Sequence, residues 1–151
     1  MDRCALALEY HAKGFNCCQS VLTACKDLIG YSEKDCLAIA GGFGKGMGGG
    51  TEVCGAVSGA VMALSLLAPH TSENDPWEKE RIYNLSQKMQ ELFLERFGYL
   101  RCDALKEHEP PTDERFPTAV RLGIEKPCEV LIVTAVEMVE ELAAQIPQKE
   151  A

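Results

Sequence analysis

No stretch of this 151-residue chain alternates polar and apolar residues strictly enough to make a half-buried strand. A sheet therefore has no segment to start from, and the expected fold class is all-α. Positive charge is also scarce, with 15 Lys and Arg against 23 Asp and Glu and a formal net charge of −8. Nucleic acid and anionic lipid both recruit basic patches, so neither is expected as a partner. The longest uncharged helical candidate, Val53 to Ala68, would span only roughly 24 Å against a ~30 Å hydrocarbon core, so membrane insertion is not expected. The opening MDRCALALEY sets Asp2 and Glu9 around a short apolar run, without the basic region or cleavage site of a signal peptide, which points to the cytoplasm. There is no CxxC and no CxxCH, so neither a thioredoxin-like site nor covalent haem is indicated. With no internal repeat and no break in composition, residues 1–151 read as a single domain.

Cysteine, by contrast, is abundant. Eight thiols in a cytosolic chain ask for an explanation, because disulfides are rare there; metal, cluster or redox chemistry is the usual one, and small buried packing residues are the alternative.

Helix signals follow one another along the chain. Residues 2–13 carry an amphipathic stripe stopped by Gly14, and Asn16 caps a helix from Cys17 to about Ile29 with Gly30 as its stop. Ser32 opens a third helix through Ala40. Gly41 to Gly50 then holds seven glycines in ten residues, a flexible loop able to wrap closely around a neighbour. Thr51 reads as the cap of an uncharged helix over about residues 53–68, with Cys54 in its first turn. This helix, apolar on every side, is expected to be the most buried element of a helical bundle, and its Gly55, Gly59 and Ala63 stripe lets other helices approach closely. That stripe and the acidic surface leave room for a homodimer. Asp75, Pro76 and Glu78 start a helix running to Phe97, with Gly98 after it. One or two turns begin near Cys102, EPPTDERFP (109–117) is a surface loop, and Lys126-Pro127-Cys128 opens the last helix, through about Ile146.

On this map Cys17, Cys54, Cys102 and Cys128 each fall at the first turn of a helix, where free backbone N–H groups and the helix dipole favour an anion. A thiol so placed is expected to ionise more readily, and the thiolate is both the nucleophile and the metal ligand. The four are read as one site. Cys4, Cys25 and Cys36 read as packing residues; Cys18, beside Cys17, reads as a spare or resolving thiol. His11, His70 and His108 are isolated and read as exposed polar residues, and the carboxylates Glu91, Glu95, Glu137, Glu140 and Glu141 as a solvated face. Gly44 to Gly49 fits GxGxxG, but a helix precedes it where a dinucleotide fingerprint needs a strand, and Lys45 is followed by Gly46 where a P-loop needs Ser or Thr.

GFNCCQSVL, GGFGKGMGGGTEVCGAVSGAVMAL, FGYLRC and KPCEVLIVTAVEMV, in this order and spacing, resemble the redox-active protein family named for its C, GCAxxG, C, C cysteine pattern. The resemblance runs from Gly14 to about Leu142. It implies that Cys17, Cys54, Cys102 and Cys128 are the defining cysteines, as redox thiols or metal ligands, with Gly55, Ala56 and Gly59 completing the central motif as cofactor-binding positions. Cys18 departs from the pattern, where the family more commonly has a small residue without a thiol.

Three functions fit these residues. Four thiolates can hold an iron–sulfur cluster for electron transfer; low-pKa cysteines can cycle between dithiol and disulfide; a tetrahedral Cys₄ zinc site can be structural or for storage. Spacings of 37, 48 and 26 residues between the four are unlike the close pairs of zinc sites and ferredoxin loops, and favour a redox site on a preformed helical scaffold, serving a redox partner the sequence does not identify.

Overall fold

The computed structural model describes residues 2–149. Its elements are α1 (Arg3–Ala12), α2 (Cys17–Ala24), α3 (Lys26–Ile29), α4 (Glu33–Ala40), a 3₁₀ turn (Gly41–Phe43), the single turn α5 (Gly44–Met47), α6 (Gly55–Leu67), α7 (Pro76–Phe97), α8 (Cys102–Glu107), α9 (Pro117–Arg121) and α10 (Pro127–Ala143). The fold is all-α. Among the described residues the only β pairing is one antiparallel bridge between Val53 and Arg101, and no helix is long and apolar enough to cross a membrane.

Most helix starts are made by the residues that signal them. Asp2 accepts from the Ala5 N–H at the head of α1, Ser32 from Asp35 at α4 and Asp75 from Glu78 at α7. Asn16 and Gln19 form a reciprocal capping box at α2. Gly30 and Gly98 end their helices in the left-handed region, at φ 73° and 81°, where a side chain would be strained.

Three expectations are corrected. The second helix breaks at Cys25, and the bend there keeps both Leu22 and Ile29 in the core. Residues 109–117 are not a loose surface loop throughout: Phe116 is buried, stacks on Phe97 at 5.4 Å between ring centres, lies under the Arg96 guanidinium at 4.8 Å, and leads into α9 through Pro117. The central helix begins at Gly55, because residues 51–54 are drawn into the bridge with Arg101, so Thr51 is not its cap.

α6 packs against α2, α7 and α10 and so lies at the centre of the bundle. It is not the most buried helix. Its Val61, Met62, Leu66 and Leu67 are only half-buried, whereas all but two of the eight residues of α2 are buried. The most extensive packing is between α6 and α2. A Cβ on Gly59 would stand 2.8 Å from the Cys18 carbonyl oxygen and 3.1 Å from the Val21 Cβ, so these two helices meet where one has no side chain.

Gly59→Ala is therefore expected to force α2 and α6 apart and to cost about 1–3 kcal/mol, measured by urea unfolding; an unchanged midpoint would show that the contact has slack.

Candidate functional site

Each of the four cysteines is set by its own piece of backbone. Cys17 is the first residue of α2, fixed by the Asn16–Gln19 capping box, while Asn16 Nδ2 also donates to the Gly41 carbonyl at 3.0 Å. Cys54 is the N-cap of α6, one step outside the helix and not in its first turn. Its N–H donates to the Leu100 carbonyl at 2.8 Å and that of Cys102 to the Glu52 carbonyl at 2.9 Å, so the bridge holds both cysteines against one short ladder. Arg101 braces the same ladder through Glu52, Thr51 and Asp103. Cys128 follows Pro127 in the first turn of α10.

The glycine segment packs closely over two of these starts. Gly44 sits directly on the Asn16 side chain, and a Cβ on Gly46 would lie 2.8 Å from the Cys102 Cβ. Gly55 is also tightly packed: its missing Cβ would lie 2.6 Å from the Cys17 Sγ. Gly55 and Gly59 thus have a packing reason in the α2–α6 contact, and Gly55, Ala56 and Gly59 do not line the cavity described next.

Cys17, Cys54, Cys102 and Cys128 line one cavity of about 590 Å³. Its wall is completed by His11 and Phe15 near the α1–α2 junction, Lys45 from the glycine segment, Leu105 and Lys106 of α8, Glu109 and Pro110 of the following loop, and Pro127 and Leu131 of α10. Cys54 is buried at its base, Cys17 and Cys102 are half-buried, and Cys128 is exposed. Among the described residues no three His, Cys, Asp or Glu side chains are grouped closely enough to hold one metal ion.

The remaining cysteines lie elsewhere. Cys4 donates to the Val133 carbonyl at 3.6 Å, Cys25 and Cys36 are buried in the core, and Cys18 turns away from the cavity to the Met62 sulfur at 3.7 Å. His11 was not legible as a site residue: its Nδ1 is 2.8 Å from the Glu129 carboxylate, a partner 118 residues away that no local pattern announces. His108 stacks on Tyr99, outside the cavity wall.

Burial, and not the helix dipole, sets the protonation of the deepest thiol. Cys54 is pushed up to about 12 by desolvation and then by Cys17, against the pull of the Ala56 and Val57 N–H groups. Cys128 is also raised, by protein packed around its sulfur although the residue is exposed, then by Glu129 and Cys17. The expectation that helix starts hold the set as thiolates is thus corrected at both. Cys4, Cys18 and Cys25 are pushed up to about 12 chiefly by burial.

Against the known families, the one described as "Putative redox-active protein (C_GCAxxG_C_C)" matches residues 15–142. The chain belongs to this family. Comparison with curated proteins and with solved structures returned no match. The family pattern writes glycine before the central cysteine; this member reads Cys54-Gly55-Ala56-Val57-Ser58-Gly59, and Gly55 is the residue the Cys17 sulfur requires to be bare.

Folded, Cys4, Cys18, Cys25 and Cys54 keep their protons to about 12, whereas unfolded thiols lose theirs near about 8.5. Above that lower value the unfolded chain binds fewer protons, so stability is expected to fall with rising pH by about 1.4 kcal/mol per pH unit for each such thiol, and to show no such loss below it. Urea unfolding across about pH 7 to 11 measures this; a flat profile would mean that these thiols ionise in the folded protein.

Proposed function

We propose that this family member works by thiol–disulfide exchange, with Cys17 and Cys54 as the working pair and Cys102 and Cys128 completing the site. The observation that carries this reading is the position of Cys17. Its sulfur lies against the bare backbone of Gly55, the residue that follows Cys54, and its proximity is one of the causes that raise both Cys54 and Cys128. Cys17 is half-buried in the cavity wall and Cys54 is only 4% exposed. Cys17 would meet an incoming disulfide, and Cys54 would resolve the mixed disulfide from behind. A protonated Cys54 suits that second role, since it waits in an unreactive form until its partner is already bonded.

Tetrahedral zinc is poorly served by this arrangement, because the described residues present no close-set group of donors. An iron–sulfur cluster is the second reading, supported by four thiols from four separate segments sharing one cavity; the cluster would supply one-electron transfer, with these cysteines as its ligands.

Oxidation of the reduced protein with one equivalent of diamide, followed by non-reducing peptide mapping, is expected to yield a Cys17–Cys54 disulfide and to leave Cys4, Cys25 and Cys36 free. Cys17→Ser should abolish the bond without transferring it to Cys18, whose sulfur faces Met62. Bonds among the core cysteines would sink the reading. Protein isolated without oxygen that shows visible absorption, with iron and acid-labile sulfide, would replace it with the cluster.

A further inference from the structure

Exchange between cysteines leaves two properties of the cavity unused. Apart from its thiols the wall is largely apolar, from Phe15, Leu105, Pro110 and Leu131, and about 590 Å³ is the size of a small organic ligand. Its free charge is also opposite to that of the chain, which is −8 overall. Lys45 and Lys106 line the cavity, and neither enters an ion pair among the described residues. Among the described residues Glu109 is the one carboxylate in the wall; Glu129, not part of the wall, is engaged by His11.

Lys45 carries a second signal. Its backbone is left-handed, at φ 53° and ψ 39°, a region that residues with side chains adopt only at a cost. Gly44 and Gly46 flank it, and a third glycine would make the same turn without strain. A lysine is held there at the rim of the thiol cavity.

We propose that the cavity receives a low-molecular-weight organic disulfide bearing a carboxylate, its apolar body against Phe15, Leu105 and Leu131 and its carboxylate on Lys45 and Lys106. This rests on the thiol–disulfide reading. A disulfide is the two-electron acceptor that two thiols reduce without any further cofactor. Cys17 gives up its proton and attacks one substrate sulfur; the S–S bond breaks, and the leaving thiolate takes a proton to become the first thiol product. Cys54 gives up its proton and attacks the Cys17 sulfur of the mixed disulfide, the second product leaves with that proton, and Cys17–Cys54 is the disulfide formed. Two electrons pass from the cysteine pair to the substrate.

The probe is 5,5′-dithiobis(2-nitrobenzoate), an aromatic disulfide with carboxylates, compared with the uncharged 4,4′-dithiodipyridine on reduced protein, thiol release being followed by absorbance. The rate is expected to saturate with the charged reagent. Lys45→Gln should raise its half-saturating concentration about tenfold, the size of one lost charge-assisted hydrogen bond, and leave the uncharged reagent unaffected. Lys45→Gly should show the same loss with equal or higher thermal stability, which separates lost recognition from misfolding. Equal effects on both reagents, or on neither, would overturn the proposal. Binding of 4-nitrobenzoate, which has the acid and ring but no disulfide, is followed by calorimetry in the same variants. If it binds through Lys45 while no thiol is released, the exchange reading is what fails and the disulfide substrate falls with it; if thiol is released from Cys17 with no dependence on Lys45, anion recognition fails alone.

Discussion

The site depends on one close approach, that of α2 to α6 at two glycines. Gly59 admits the Cys18 backbone and Gly55 admits the Cys17 sulfur, and at neither position is there room for a methyl group. Because protein interiors pack at crystal-like density, such a contact fixes the separation and rotation of both helices. The start of α2 is thereby held beside the cap of α6. The same two residues that look like a helix-packing stripe are what bring two distant thiols together.

Around that contact the chain adds further backbone that closes on the site. The glycine segment, flexible by composition, packs closely over Asn16 and Cys102 and turns through left-handed residues to do so. A single bridge between Val53 and Arg101 places Cys54 and Cys102 on one ladder in a protein that otherwise has no β pairing among its described residues. The His11–Glu129 pair joins α1 to the first turn of α10 and closes another side of the cavity. The four cysteines stand at or beside the starts of four different helices, α2, α6, α8 and α10, and this is how residues so far apart in sequence share one cavity.

The chemistry of the thiols illustrates a competition between two local fields. A helix N-terminus stabilises a thiolate by backbone N–H groups acting within a turn. Desolvation opposes the charged form, and it grows with burial depth. At Cys54 both act on one sulfur, and burial prevails. The outcome is a protonated, buried thiol at Cys54 and a more accessible one at Cys17, both in the wall of one cavity.

The sequence by itself determined the helical class, most helix starts and stops, and the four cysteines that share the cavity. These rest on local physics: capping side chains, proline at N1, left-handed glycines and hydrophobic period act within a few residues, as Asn16, Asp75, Pro127 and Gly98 show. Tertiary structure alone decided that Thr51 yields to a bridge, that Phe116 buries itself and starts α9, that α6 keeps one side half-exposed, and that Cys18 turns from Cys17 toward Met62. It also decided the protonation of Cys54 and recruited His11, Lys45 and Lys106 to the wall. Each of these follows from which distant surfaces meet, and burial and pairing between remote residues leave no periodic trace in the segments that supply them.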